Sequence, residues 1–297
     1  MADLHTTLVR FDIVYDEPVV LSEWVQRITA NNPSAFTGPG TNTYLIGKER
    51  FVVVDPGPNE PEHVAAILKA TDGKIDFILA THAHEDHSPA AKPLADATGA
   101  KMIGFCCDVD SEHLDKTFTP ERDIEDGEVI DAGDFQLRAI YTPGHLKQHV
   151  CYLLEQENTL FAGDHVMQGA TVVIIPPHGG TMWEYLESLV KLQGQGINWL
   201  APAHGHILSH ADQVLQELYD HRMSRERRAI EVLSREKKGT LEDLAPLVYP
   251  EVEGDLIKGT HFALWSHLQK LVHDGVASKH HEKHWIMGEE IWEIIEP

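Results

Sequence analysis

The sequence predicts a mixed α/β fold followed by a small helical module. Short runs of β-branched and aromatic residues end at glycine or proline, and segments with helical spacing lie between them. The composition then changes near Gln213. The chain has 297 residues, 42% of them hydrophobic, which suits one large domain with a small addition. We expect a first domain over residues 1–212 and a second over residues 213–297.

The first part of the chain alternates strand and helix. Residues 51–55 form a short apolar run that a Pro-Gly pair ends, as expected of a buried strand. Residues 60–70 carry apolar side chains at helical spacing, and residues 75–80 predict the next strand. Ser88-Pro89 predicts a helix start, because proline favours the first helical position.

The same alternation continues further along. Strands are predicted at residues 135–141, 150–154, 159–162 and 199–201, with an amphipathic helix over residues 183–192. Histidine and aspartate recur just past the ends of these strands. Such loops are where a rigid scaffold can bring several side chains to one point.

The last part of the chain predicts three helices and a hairpin. The helices are expected at residues 213–236, 240–248 and 260–273, and the hairpin strands near residues 276–279 and 284–287. This order is typical of a winged-helix module. A DNA-recognition helix exposes several basic residues, whereas the third helix offers only Lys270. DNA binding is therefore disfavoured.

The composition limits the partners. The chain has 24 basic and 47 acidic residues, a formal net charge of −23, which repels polyanions at long range. No basic and apolar leader and no run of roughly 18 apolar residues is present. The three cysteines give no disulfide framework, and Cys106 and Cys107 are expected to be packing residues. We expect a cytoplasmic protein without a membrane partner, and the sequence indicates no oligomeric state.

The strongest motif is His82-x-His84-x-Asp86-His87, directly after a predicted strand. In an extended segment His82 and His84 project from the same face, because side chains alternate with period two. Asp86 and His87 fall in the turn to the next helix and can reach a second point. One loop therefore offers two pairs of ligands to two neighbouring metal ions, and imidazole and carboxylate suit zinc.

Three further motifs follow predicted strands: Thr-Pro-Gly-His145, Ala-Gly-Asp164 and Pro-Ala-His204-Gly. In a chain with 20 histidines, a solvated histidine-rich turn is the alternative interpretation of residues 82–87. The downstream motifs, each placed past a strand, favour a dinuclear metal centre instead.

Together with Asp55, these motifs resemble the five motifs of the metallo-β-lactamase superfamily, over residues 10–210. The resemblance implies an αββα sandwich with its metal site at one edge between two sheets, and a catalytic domain over residues 1–212. Residues 40–47 (Gly-Thr-Asn-Thr-Tyr-Leu-Ile-Gly) and the winged-helix-like region are similar to a narrower branch. That branch includes the endoribonuclease β-lactamase-like protein 2.

The resemblance also implies a role for each motif residue. The first metal ion would be held by His82, His84 and His145. The second would be held by Asp86, His87 and His204, with Asp164 bridging both. Asp55 would support the ligand loop from behind, since outer partners fix ligand orientation. The expected cofactor is two Zn²⁺, although Mn²⁺ or iron suits the same ligands.

The implied chemistry is hydrolysis by a metal-bridging hydroxide, which two close cations generate near neutral pH. Asp86 is the expected catalytic residue, because it can orient the hydroxide and pass on a proton. A small-molecule ester, thioester or lactone is the favoured substrate, and single-stranded RNA is the alternative. His84 disfavours a diiron oxygen-reducing enzyme, the missing leader disfavours a dedicated β-lactamase, and the complete ligand set disfavours an inactive regulator.

Overall fold

The computed structural model describes residues 8–9, 12–105, 114–252, 257–281 and 290–295. The chain divides into two compact units. The first unit consists of Met1–Thr142, Gln148–Val172 and Leu192–Leu215, and the second of Pro143–Lys147, Val173–Lys191 and Gln216–Pro297. The predicted boundary after residue 212 stays a prediction. Cys106 and Cys107 lie outside the described residues.

In its described residues, the first unit contains two β-sheets and two complete helices. Its strands are β1 (Leu8–Val9), β2 (Val19–Val20), β3 (Val25–Thr29), β4 (Asn42–Gly47), β5 (Phe51–Val54), β6 (Ile75–Leu79), β7 (Lys101–Ile103), β8 (Val129–Asp131), β9 (Gln136–Tyr141), β10 (Val150–Leu154), β11 (Thr159–Gly163), β12 (Trp199–Pro202) and β13 (Ile207–Ser209). Its helices are α1 (Pro61–Thr71) and α2 (Ala91–Thr98).

The strand order brings parallel neighbours together in both sheets. One sheet has the order β2-β3-β4-β5-β6-β7, and the other has the order β1-β13-β12-β11-β10-β9-β8. Strand β5 runs parallel to β6, and β11 runs parallel to β12. Parallel strands end at the same edge of a sheet, so the residues after each pair are brought close to one another.

The core of the first unit lies on both faces of the six-stranded sheet. Val52 and Val54 belong to the cluster that also contains Leu137 and Phe161 of the other sheet. Val53 points the opposite way, as period-two alternation requires, and joins a cluster with Ile67 of α1. A sheet covered on both faces explains why β5 is an unbroken apolar run.

The predicted mixed α/β fold with two packed sheets is confirmed. The predicted start of the second helix at Pro89 is wrong, because α2 begins at Ala91. Residues before it form tight turns, in which the amide of His87 donates to the carbonyl of His84 at 3.0 Å. The amide of Ala90 donates to the carbonyl of Gly57 at 3.0 Å. These bonds satisfy backbone groups that a longer helix would have used.

The second unit contains most of helices α3 (Met182–Leu192) and α4 (Ala211–Glu236), with α5 (Leu241–Val248), α6 (Ile257–His273), β14 (Lys238–Gly239), β15 (Ala277–His281) and β16 (Glu290–Ile294). The three strands form a sheet of order β14-β16-β15. Trp292 of β16 is fully buried against Leu268 and Leu271 of α6 in one apolar cluster. The predicted strand at residues 284–287 lies outside the described residues, and the winged-helix assignment stays a prediction.

Within the described part of the chain, the helices are too short or too polar to span a bilayer.

Candidate metal centre

The metal-ligand motifs of the first unit meet at one edge of the two sheets. The loop with His82, His84, Asp86 and His87 follows β6, Asp164 follows β11, and His204 follows β12. Backbone hydrogen bonds join the two sheets at this edge. The amide of Asn42 donates to the carbonyl of Ala203 at 2.7 Å, and that of Val150 donates to the carbonyl of Thr81 at 2.9 Å. The ligand loops are therefore anchored to both sheets.

The side chains form two donor groups. Ligand atoms of His82, His84 and Asp164 lie within 4.8 Å of one another, and so do those of Asp86, His87 and His204. Most of these residues are buried, with Asp86 and His84 half-buried. Imidazole nitrogens and carboxylate oxygens converging at this spacing make a donor set suited to zinc and similar cations.

His87 is oriented by a carboxylate behind it. Its Nδ1 lies 3.1 Å from Oδ2 of Asp55, and a carboxylate can only accept, so Nδ1 carries the proton and donates. Its Nε2 then faces Oδ2 of Asp86 at 3.3 Å and Oδ1 of Asp164 at 3.7 Å. Among the described residues this buried nitrogen has no hydrogen-bond partner. An imidazole held in this tautomer presents a lone pair to a cation.

His204 has the same arrangement on the other side of the group. Its Nδ1 donates to the carbonyl of Gly40 at 3.3 Å. Its Nε2 lies 3.3 Å from Oδ2 of Asp86 and 3.2 Å from Oδ1 of Asp164. Both histidines of this group therefore turn Nε2 toward the same two carboxylates, as ligands of one cation would.

His82 and His84 bring two ring nitrogens together. Nε2 of His82 lies 2.9 Å from Nδ1 of His84, a contact that requires a shared proton or a cation. Nδ1 of His82 lies 3.1 Å from the hydroxyl of Thr81. That hydroxyl donates to Oδ2 of Asp55 at 2.9 Å, so it accepts the proton from His82.

Asp55 is connected to both donor groups by hydrogen bonds, to His87 directly and to His82 through Thr81. Its Oδ1 accepts from the amide of Thr81 at 2.7 Å, and its Oδ2 accepts from the Thr81 hydroxyl and from His87. Its φ of 49° lies in the left-handed region, which costs a non-glycine residue about 1 kcal/mol. The strained backbone aims one buried carboxylate at both parts of the ligand loop.

The electrostatics of the second group fit a cation. Burial opposes ionisation of Asp86, yet His87 and His204 lower the pKa of its carboxyl. Burial likewise opposes the charged form of His204, but Asp164 and Asp86 raise its pKa to about 9. For His87, the carboxylates of Asp86, Asp164 and Asp55 overcome burial and raise the pKa well above its ordinary value. The carboxylates thus favour positive charge between these side chains, which either bound protons or a metal ion can supply.

Residues 36–204 match the sequence pattern described as the Metallo-beta-lactamase superfamily. The chain belongs to the metallo-β-lactamase superfamily. It is 30% identical to the Beta-lactamase-like protein 2 homolog of Caenorhabditis elegans, over 93% of this chain and 94% of that protein. It is 32% identical to the Atrochrysone carboxyl ACP thioesterase of Aspergillus chevalieri, over 79% of this chain and 76% of that protein.

Solved structures show the same fold. A β-lactamase domain protein from Burkholderia ambifaria superposes with a TM-score of 0.80 at 16% identity, covering 96% of this chain and 95% of that one. A metallo-β-lactamase family protein from Thermus thermophilus superposes with a TM-score of 0.73 at 18% identity, covering 93% and 100%. The predictions of a metallo-β-lactamase fold and of a metal-dependent hydrolase are confirmed.

His145 lies on Pro143–Lys147, a segment of the second unit. Its Nδ1 donates to the carbonyl of Val173 at 2.6 Å, so Nε2 is the nitrogen left for a ligand role. That role stays a prediction. His149 is buried, with Nδ1 2.9 Å from the Thr142 hydroxyl and its ring centroid 5.2 Å from that of His82.

Several residues that support this superfamily site were missed at the sequence level. Thr81 bridges Asp55 and His82, and Gly40 positions His204. Asn42 donates to the carbonyls of Pro202 and Gly205, at 3.1 and 2.9 Å. The sequence did carry one signal of such contacts. Asn42 and Thr43 are polar, yet they begin a strand whose residues are all buried. Buried polar side chains need partners, so a polar start to an apolar strand indicates a network.

Proposed function

We propose that this protein is a dinuclear zinc hydrolase that cleaves a thioester, ester or lactone bond of a small molecule. The observation that carries the proposal is the pair of donor groups at one edge of the sheets. Oδ1 of Asp164 lies 3.2 and 3.7 Å from the Nε2 atoms of His204 and His87, although Asp164 also belongs to the group with His82 and His84. A carboxylate shared in this way supports a bridge between two cations.

The proposed ligands are those that the motifs indicate. His82, His84 and His145 would hold the first zinc ion, and Asp86, His87 and His204 would hold the second. Asp164 would be available to both. When bound, two zinc ions would lower the pKa of a water molecule to near neutrality and polarise the substrate oxygen.

Asp86 is the proposed catalytic residue. Its side chain is 27% exposed, whereas those of His87 and His204 are 0% and 3% exposed, so Asp86 is the member of its group that solvent reaches. The two histidines hold its carboxyl ionised, which suits a group that accepts a hydrogen bond from the attacking water and so orients that water. The Thr41 hydroxyl, 3.4 Å from Oδ2, helps to fix its orientation.

Two observations support a small acyl substrate. The relative from Aspergillus chevalieri is named as a thioesterase and matches 79% of this chain. The net charge of −23 opposes the approach of a polyanion. The alternative is cleavage of single-stranded RNA, which the resemblance to the β-lactamase-like protein 2 branch supports and which would require a local groove that overcomes the charge.

A substrate panel tests the proposal. Zinc-loaded protein is assayed on acyl thioesters, aryl esters and lactones, and in parallel on an unstructured fluorescent RNA. We expect acyl hydrolysis that falls roughly 100-fold or more in His82→Ala, because a metal ligand is lost. His280→Ala is the control, since that imidazole is 60% exposed and its Nε2 lies 3.4 Å from Oε2 of Glu293. RNA cleavage that depends on His82, without acyl hydrolysis, would replace this proposal with the alternative.

A further inference from the structure

A second polar network reaches the backbone of Asp55. Oδ1 of Asp16 lies 3.0 Å from Nδ1 of His63, and Nε2 of His63 lies 2.9 Å from the hydroxyl of Thr43. The Thr43 hydroxyl in turn donates to the carbonyl of Asp55 at 2.7 Å. His63 and Thr43 are fully buried, and Asp16 is half-buried. Three side chains from separate parts of the first unit thus form one chain of hydrogen bonds, and its last member, Thr43, donates to the backbone carbonyl of Asp55.

The donors in this network can be assigned. A hydroxyl has one proton, and a carbonyl only accepts, so the proton of Thr43 points to Asp55. Nε2 of His63 therefore donates to Thr43, and the contact between Nδ1 and the carboxylate of Asp16 needs a second proton, held by the ring or by the carboxyl. Burial lowers the pKa of His63, against the opposing effects of Asp16 and of the Pro56 carbonyl. The direction of donation runs from His63 toward Asp55.

The order Asp16–His63–Thr43 has the connectivity of a nucleophilic triad. Thr43 is not a nucleophile here, because its side chain is fully buried and its proton is already given to a backbone carbonyl. The network ends inside the protein, at the loop that carries Asp55.

The loop Asp55–Gly57 lies between this network and the ligand loop. A Cβ on Gly57 would stand 2.9 Å from Nε2 of His63, so only glycine permits this approach, and its φ of 85° also favours glycine. The amide of Gly57 donates to the carbonyl of His87 at 2.8 Å. His87 is therefore held twice by this loop, through its ring by Asp55 and through its backbone by Gly57.

We propose that Asp16, His63 and Thr43 are positioning residues that hold the Asp55–Gly57 loop, and through it set how tightly His87 binds metal. The inference rests on the proposed metal centre. The left-handed φ of Asp55 is a conformation that its surroundings must enforce, and the hydrogen bond from Thr43 to its carbonyl is one of the contacts that enforce it. Loss of the network would let the carboxylate of Asp55 turn away from His87.

The test measures metal release, not catalysis. Thr43→Val removes only the hydroxyl, Thr43→Ser restores it, and His63→Ala removes the middle of the network. Ile67→Ala is the matched control, because Ile67 is fully buried one turn further along α1 and packs in an apolar cluster with Val53. Each zinc-loaded protein is mixed with excess chelator, and the release rate is followed. The same proteins are loaded with Co²⁺, whose absorption bands report the ligand geometry.

We expect Thr43→Val and His63→Ala to release one metal ion on the order of 10–100 times faster than the wild type, with altered Co²⁺ bands. Thr43→Ser and Ile67→Ala keep the wild-type rate within about threefold, although Ile67→Ala unfolds at a lower temperature. Should Thr43→Val fail to fold, Asp16→Asn removes the half-exposed end of the network and is expected to act in the same direction.

Wild-type release rates and Co²⁺ bands in Thr43→Val, His63→Ala and Asp16→Asn would overturn the inference while leaving the metal centre intact. A wild-type protein that binds neither Zn²⁺ nor Co²⁺ would instead overturn the proposed function, and this inference with it.

Discussion

Oδ2 of Asp55 and Nδ1 of His87 lie 3.1 Å apart, and both side chains are buried. A carboxylate that accepts from one ring nitrogen fixes which nitrogen of the histidine faces the metal. Asp55 follows β5 and His87 belongs to the loop after β6, so the contact depends on the parallel pairing of these two strands. The tautomer of His87, and with it the second donor group, follows from this contact.

Asp55→Asn tests the contact directly. We expect the affinity of the group Asp86, His87 and His204 for zinc to fall on the order of 10–100-fold, because the amide no longer enforces the tautomer of His87. Competition with a chromophoric chelator measures it. Asp72→Asn is the control, because Asp72 has nearly the same φ, 50°, and an 84% exposed side chain. Equal affinities in the two variants would refute the role of Asp55.

Gly40→Ala is expected to destabilise the fold and loosen His204. Gly40 has a φ of 129°, and a Cβ there would stand 2.2 Å from the carbonyl oxygen of Ala30. We expect a loss of roughly 2 kcal/mol or more in the free energy of unfolding, with faster zinc release. Gly38→Ala, in the same loop, meets nothing within 4 Å and should cost about 1 kcal/mol from its positive φ alone. Chemical denaturation of both variants measures these losses. Similar losses in the two variants would contradict a steric clash specific to Gly40.

Metal uptake should depend on pH. In the metal-free protein the pKa of His204 is raised to about 9, so below that pH a proton occupies the nitrogen that a metal ion needs. The apparent affinity is therefore expected to rise with pH and to level off near pH 9. Calorimetry at pH 7 in two buffers of different ionisation enthalpy counts the protons released. Metal binding without proton release at pH 7 would rule this out.

The stability of the metal-free fold should change with pH in the opposite sense. Because the folded pKa of His204 exceeds its unfolded value of about 6.5, the protonated ring stabilises the metal-free fold at low pH. That contribution is fully present below about pH 6.5 and is lost as the pH rises through about 9. The free energy of unfolding of the metal-free protein, measured by urea denaturation, should therefore fall as the pH rises across this range. Bound zinc should abolish this pH dependence. If the stability of metal-free His204→Gln falls with pH in the same way, the pH dependence comes from another group and not from His204.

The second unit gives an independent prediction about stability. Trp292 is fully buried in the cluster with Leu268, so Trp292→Ala is expected to cost about 3–5 kcal/mol in the free energy of unfolding. Ile295, three residues further on, is 47% exposed, and Ile295→Ala should change it by no more than about 0.5 kcal/mol. Guanidinium denaturation measures both. A loss below about 1 kcal/mol in Trp292→Ala would show that the site repacks.

The positions of the candidate ligands could be predicted, because each follows a short-range pattern, while their roles as ligands stay a prediction. Asp164 and His204 come just after apolar runs, and a residue past a strand end lies at a sheet edge. Spacing alone separated His82 and His84 from Asp86 and His87. The helix start at Pro89 failed because the proline rule considers one residue, whereas turn hydrogen bonds to His84 and Gly57 decided where α2 begins.

The supporting contacts could not be predicted, because they join distant parts of the chain. His204 donates to Gly40 across 164 positions, and Asn42 reaches Pro202 across 160. Such contacts depend on strand order and register, which one sequence does not reveal. His63 lies in α1, which the apolar spacing predicted, whereas its partner Thr43 lies on β4. The sequence thus indicated the candidate ligands but not the hydrogen bonds that hold them.

The number of zinc ions bound per chain distinguishes a dinuclear centre from any other site. Wild-type protein is stripped with chelator, incubated with excess zinc, desalted and analysed for bound metal, alongside acyl hydrolysis at each stage. We expect about two zinc ions per chain. Hydrolysis should be lost when the metal is stripped and should return when zinc is added back. Asp86→Ala should retain about one zinc ion. Two results would contradict a dinuclear zinc hydrolase: a metal-free protein that hydrolyses acyl substrates at the wild-type rate, or a protein that binds no zinc after incubation with it.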